Sequence, residues 1–203
     1  IMPSLVGSEM CIRDRVTPLD SLCGGQVTLA IEVMIPMPHV LLMGGGHCGQ
    51  AIANTLDALG WHHSVHDTRP EFSAVKMYPS AEQLSSVSVS EFLQTESLES
   101  LRRFSDVLLL GHDWAEDEER LLGLLHFYRE GKAIPDGHQG PRIGVIGSRS
   151  KWQSFEKTCL EQGIGQPILD AVVCPIGLNI GAESPEEIAV AVVAQIMASF
   201  KGV

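Results

Sequence analysis

Gly44, Gly46 and Gly49 stand at G-x-G-x-x-G spacing, and Asp67 follows roughly twenty residues later. Glycines so placed can hold a phosphate. The first permits a tight turn out of a strand, the second lets backbone approach a diphosphate without a Cβ, and the third lets the following helix pack closely. A helix that starts at such a turn offers unpaired N–H groups and partial positive charge to an anion. An acid at the position of Asp67 can accept a ribose hydroxyl. Gly44, Gly46, His47, Gly49 and Asp67 are therefore candidate binding residues for a nucleotide or a pterin phosphate. Cys48 lies in the same turn, where a helix N-terminus lowers a thiol pKa, although a small apolar role suits it better.

Other polar residues follow apolar runs. His112 comes after DVLLLG (106–111), and Ser148-Arg149 comes after the run 143–146. There a hydroxyl, a helix-start N–H and a guanidinium could converge on a phosphate. Gly177 and Asn179 leave the run 172–174. His62, His63 and His66 invite a metal reading, but on a strand the first two face opposite ways and no carboxylate or cysteine completes a set. No G-x-S-x-G or H-E-x-x-H motif is present. The reading is therefore a binder with no catalytic and no metal residues.

The elements that must position these residues alternate. Residues 40–43 read as a buried strand, and Ala51, Ile52, Leu56 and Leu59 recur at helical spacing up to Gly60. Residues 63–66 read as a second strand and 86–89 as a short third. A helix from residues 90–91 would carry Phe92, Leu93, Leu98 and Leu101. Strand 106–111 and a helix over 116–129 follow, then a turn-rich connection over 130–141. Strand 143–146 leads to a helix carrying Trp152, Phe155 and Leu160, and 172–174 reads as a last short strand. Ser184-Pro185-Glu186-Glu187 opens a final helix with a capping box and proline at its first position. Its Ile188, Val192 and Ile196, with alanines between, predict burial almost all round. The sum is a doubly wound, mostly parallel α/β sheet with helices on both faces. In such sheets ligands sit beyond the carboxyl ends of the strands, which gathers the candidates above onto one rim.

Composition narrows the partners. A formal net charge of −11 argues against nucleic acid and anionic membrane surfaces, and no apolar run approaches a membrane span. Five scattered cysteines without C-x-x-C pairing read as reduced, cytoplasmic thiols. Residues 1–15 show no period and look like translated sequencing-adapter sequence, which implies that a native N-terminus is missing; they are set aside from the fold. Residues 16–36 hold Cys23-Gly24-Gly25 and an alternating run, and Pro36 and Pro38 then form a linker.

The order GGGHCG, HDTRPEF, GHDWAED, IGSRSK and PIGLNIGAESPEEIA resembles the xanthine dehydrogenase accessory protein family (XdhC/CoxI type), specifically its C-terminal Rossmann domain. The resemblance covers about residues 38–200. It implies a Rossmann domain over 37–203 and a remnant of the family's N-terminal domain over 16–36. It further implies binding of the molybdenum cofactor, as molybdopterin or its dinucleotide form. The implied task is chaperoning: helping to sulfurate the cofactor and insert it into a xanthine dehydrogenase-type molybdenum hydroxylase. A cysteine desulfurase is a further implied partner, and a homodimer stays open. Gly45 and Cys48 stand where the family pattern has alanine and valine. The residues themselves leave an alternative standing, an NAD(P)-dependent oxidoreductase acting on a small molecule.

Overall fold

Strand β1 (His39–Met43) is central because every residue from Val40 to Met43 is buried and apolar. The structure is a computed structural model describing residues 36–130 and 140–202; expectations for 1–35 and 131–139 lie outside the described residues. Residues 37–203 form one compact unit. Strands β2 (His62–His66), β3 (Leu84–Ser85), β4 (Asp106–Leu109) and β5 (Arg142–Val145) complete the sheet. All pair in parallel in the order β3-β2-β1-β4-β5. Leu41 faces Ser64 on one side and Val107 on the other, so the register is pinned at the middle.

The strands divide their side chains between two apolar layers, as a period of two requires. Leu41, Met43, Val107, Leu109, Ile143 and Val145 meet Phe92, Leu121, Leu124, Leu125 and Phe155 on one face. Val40, Leu42, Val65 and Leu108 meet Ile52, Leu56, Val192 and Ile196 on the other. The first face carries α2 (Val89–Thr95), α3 (Leu98–Leu101), α4 (Trp114–Glu130), α5 (Arg149–Glu161) and α6 (Gln166–Leu169). The second carries α1 (His47–Ala58) and α7 (Pro185–Lys201). The doubly wound expectation holds. Among the described residues, no helix is long and apolar enough to cross a membrane.

Several local expectations change. Residues 86–89 are not a strand: β3 lies just before them at Leu84–Ser85, and Ser88 caps α2 by accepting the Glu91 N–H. The single helix expected from residue 90 is two, because Ser97 starts α3 with its own capping box. Residues 172–174 form only an isolated bridge, Val173 to Gly144. On α5 it is Cys159, not Leu160, that is buried; Leu160 is 46% exposed. α7 has its capping box on Ser184 and Glu187, yet it is not buried all round, since Val190 is 54% exposed. One side of that helix faces solvent.

Candidate functional site

The turn after β1 is where the glycine spacing becomes geometry. Gly44 has φ +126°, and a Cβ there would lie 2.7 Å from the Leu110 carbonyl carbon, so both conformation and space require glycine. A Cβ on Gly49 would meet the Gly44 oxygen at 2.4 Å, so the helix seats directly on its own turn. Gly46, the N-cap of α1, has open space on its Cβ side. The N–H groups of Gly46, His47, Cys48 and Gly49 have no hydrogen-bond partner among the described residues. Four donors around an open glycine are what an anion needs. A groove of about 430 Å³ begins beside His47 and runs between α1 and α7, past Gln50, Thr55, Pro185, Glu186 and Val190.

Asp67, at the end of β2, lies directly beneath this turn and is only 2% exposed. Its Oδ2 accepts the Gly45 N–H at 2.8 Å and Arg69 Nη2 at 2.8 Å. Its Oδ1 accepts Arg69 Nε at 2.9 Å and the Arg69 backbone N–H at 3.0 Å. Four donors use the carboxylate's four acceptor positions. Burial pushes the Asp67 carboxyl up, but the Arg69 and Gly45 hydrogen bonds outweigh it and hold the group below its ordinary value. Arg69 in turn lies over the Phe72 ring, 3.9 Å from its centroid.

Gly45 is held from three sides. Besides Asp67 on its N–H, Tyr78 donates its hydroxyl to the Gly45 carbonyl at 2.8 Å. A Cβ on Gly45 would fall 1.8 Å from the Phe72 carbonyl oxygen. Alanine at this position, as in the family pattern, therefore needs the short 3-10 turn Pro70–Ser73 to move in this chain. Cys48 departs from expectation in another way: burial, followed by the nearby Glu186 charge, raises its thiol pKa. Desolvation outweighs the helix N-terminus there.

Across the sheet, His112 is exposed in the turn after β4, and Asp113 caps α4 by accepting the Ala115 and Glu116 N–H groups. Beneath them lies a buried charged network. Asp117 Oδ1 accepts the Gly111 N–H at 3.2 Å and Arg120 Nη1 at 3.1 Å, while its Oδ2 accepts Lys151 Nζ at 2.8 Å. All three side chains are buried. Arg120 Nη2 comes within 3.2 Å of Glu116 without hydrogen-bond alignment, and Glu116 accepts the Thr68 hydroxyl at 2.7 Å. That bond joins the β2 and β4 sides. His66 donates to the Val87 carbonyl and packs on Phe92. Burial lowers its pKa, and the Arg120 charge lowers it further.

The remaining candidates fall at the same edge with fewer ties. Ser148 caps α5 by accepting the Lys151 N–H, and Arg149 follows it, exposed. Gly177, at φ +113°, donates its N–H to Gln195 Oε1 of α7, and Asn179 is exposed. No hydrogen bond or ion pair links Arg149 or Asn179 to the glycine turn among the described residues. The residues missed from sequence are Tyr78, Arg69, Asp117, Arg120 and Lys151. One signal for the network was present: Asp117 and Arg120 occupy the same helical stripe as Leu121, Leu124 and Leu125.

A parallel sheet in this order, with a glycine turn passing from its central strand into a helix, defines a Rossmann-type domain. Residues 40–196 match the XdhC Rossmann domain, and the chain belongs to that family. It is 29% identical over 176 residues to a probable xanthine dehydrogenase subunit of Bacillus subtilis (strain 168), covering 85% of this chain and 46% of that protein. It is 28% identical over 195 residues to the uncharacterized protein YqeB of Escherichia coli (strain K12), covering 96% of this chain and 33% of that protein. The crystal structure of a xanthine dehydrogenase from Bacillus halodurans superposes with a TM-score of 0.64 at 26% identity, covering 82% of this chain and 45% of the other. The chain thus spans between a third and just under half of these relatives. Two of the three are named for xanthine dehydrogenase.

Proposed function

We propose that this domain binds the molybdenum cofactor as cargo, helps its sulfuration, and delivers it to a xanthine dehydrogenase-type molybdenum hydroxylase. The observation that carries the reading is the open Gly46 with four N–H groups that have no partner among the described residues, a cradle suited to the cofactor's phosphate. Membership of the XdhC family and the xanthine dehydrogenase relatives support the choice of cargo. Gly44, Gly46, His47 and Gly49 would take the phosphate. Asp67 lies under the turn, and His112, Ser148, Arg149, Gly177 and Asn179 would face the rest of the molecule from the same edge. Arg149, exposed at the start of α5, would pair with a second anionic group. The molybdenum chemistry itself belongs to the recipient enzyme, and this chain acts as a carrier rather than a catalyst. A cysteine desulfurase is the natural sulfur donor in this scheme.

The competing reading is an NAD(P)-dependent oxidoreductase, favoured by an acid at the end of β2. Titration of the wild type, Gly46→Val and Arg149→Ala with molybdenum cofactor and with oxidised and reduced nicotinamide cofactors separates the two. Gly46 has φ −72° and open space, so valine should fold yet block backbone approach. The carrier reading expects molybdenum cofactor binding that Gly46→Val abolishes and Arg149→Ala weakens roughly ten- to hundredfold. Tight nicotinamide binding indifferent to Arg149, with no molybdenum cofactor bound, would give the protein to the oxidoreductases.

A further inference from the structure

We infer that Asp67 and Tyr78 are positioning residues of the phosphate turn, and that Asp67 does not read a ribose diol. The inference rests on the reading of that turn as a phosphate site. Its ground is Gly45, whose N–H and carbonyl belong to the peptide groups on either side of its Cα. The N–H is fixed by Asp67 Oδ2 at 2.8 Å and the carbonyl by the Tyr78 hydroxyl at 2.8 Å. Tyr78 is 1% exposed and Asp67 2%, so water does not compete for either bond. The Phe72 carbonyl occupies the space a Cβ would need. The Gly45 carbonyl shares its planar peptide group with the Gly46 N–H, so the Tyr78 bond fixes the direction of that N–H, while the Asp67 bond fixes the peptide before it; together they orient the start of the donor set that an anion would meet. Preorganised donors of this kind bind more tightly than donors that must be ordered first.

The same geometry removes Asp67 from the surface that a sugar would touch. A diol brings two donors, and the carboxylate's four acceptor positions are already filled by Gly45 and by three Arg69 donors. Arg69 is fastened in its turn over Phe72. What is accessible at the end of β2 is therefore the Arg69 side chain, 31% exposed, rather than the Asp67 carboxylate, 2% exposed. Glu71 and Glu116 also act on Arg69, which keeps it charged.

The test uses ADP, 2′,3′-dideoxy-ADP and the oxidised pterin derivative of molybdopterin with its phosphate retained. Each is titrated against wild type, Asp67→Asn, Tyr78→Phe and Phe200→Ala, the last a destabilised control beside Trp61, remote from the turn. Asp67→Asn and Tyr78→Phe should weaken every probe that the wild type binds by a common factor, roughly five- to tenfold. The dideoxy-ADP to ADP affinity ratio should be the same in Asp67→Asn as in wild type. The control should lose thermal midpoint without losing affinity, and Tyr78→Phe would behave like it if the tyrosine were merely structural. A large ratio in wild type that collapses to one in Asp67→Asn would establish diol reading and overturn the inference. Unchanged affinities in Tyr78→Phe would overturn it as well. If wild type binds none of the three probes, the phosphate reading falls and this inference falls with it.

Discussion

The turn after β1 is gripped through a single residue, whereas the turn after β4 is held through a single carboxylate. Gly45 has its N–H, its carbonyl and its missing side chain each matched by a neighbour, and only Asp67 among those neighbours is charged. Gly111 instead gives its N–H to Asp117, and Asp117 is buried between Arg120 and Lys151. A Cβ on Gly111 would strike Asp117 Oδ1 at 2.2 Å, so that turn too has been narrowed to fit its anchor. The first arrangement is mostly steric and leaves four N–H groups without partners among the described residues. The second is electrostatic and turns inward, its charges facing one another, with Arg120 Nε and Nη2 buried and lacking a hydrogen bond among the described residues. A rim can thus expose donors on one side while its other side is braced from within.

The largest expected effect breaks the second arrangement. Asp117→Ala leaves Arg120 and Lys151 buried without their shared counter-charge, which costs about 3–5 kcal/mol. For a domain of this size that is a fall of roughly 10 °C in thermal midpoint. Replacing Asp117, Arg120 and Lys151 together with Leu, Leu and Met should recover most of it, since an apolar set removes the desolvation cost. A triple variant less stable than Asp117→Ala would show that the network itself stabilises the fold.

Gly45→Ala tests the steric grip. With a backbone oxygen 1.8 Å from the new Cβ, the cost is about 1–3 kcal/mol by denaturant melts. Gly46→Ala, one residue on, should cost no more than about 1 kcal/mol, as its φ is −72° and nothing lies in the way, so that only the poorer N-cap remains. Equal losses at the two positions would contradict the distinction between a packed glycine and an open one.

Histidine titration links the two sides. His63 and His66 are buried, and burial first of all lowers both pKa values below the ordinary 6.5. The native state then binds fewer protons than the unfolded state below neutral pH, so stability rises with pH. The loss on acidification begins as pH falls through 6.5 and ends below the lowered native values. His66→Gln should flatten that slope in midpoint measurements between about pH 7.5 and 5, relative to wild type. An unchanged slope would mean that His66 is not a source of it.

The smallest effect concerns the bridge. Thr68→Val removes the hydroxyl that reaches Glu116, and should cost about 0.5–1.5 kcal/mol. A double-mutant cycle with Glu116→Gln should show coupling of that order; zero coupling would leave the two turns energetically independent.

The glycine turn was legible because its grammar is local. Gly44 needs a positive φ, Gly49 must clear the carbonyl of Gly44, and each constraint acts within a few residues. The Ser184 capping box was legible for the same reason. The strands that precede Gly44 and Gly111 announced themselves as short aliphatic runs, and their alternation with helices implied the parallel sheet. The single-helix reading over 90–101 failed on a local detail, the second serine cap at Ser97.

By itself, then, the sequence determined the alternation of strands and helices, the glycine turn after β1 and the family to which they point. The tertiary structure decided what each polar group does there. It turned Asp67 inward onto Gly45, brought Tyr78 from 33 positions away to the same residue, and raised the Cys48 thiol pKa by burial. It also set Asp117 and Arg120 on the face of α4 that meets the sheet, where Lys151 from α5 completes them. The reason is range: turns and caps act over a few residues, whereas burial and charge pairing depend on which distant surfaces meet when the sheet closes.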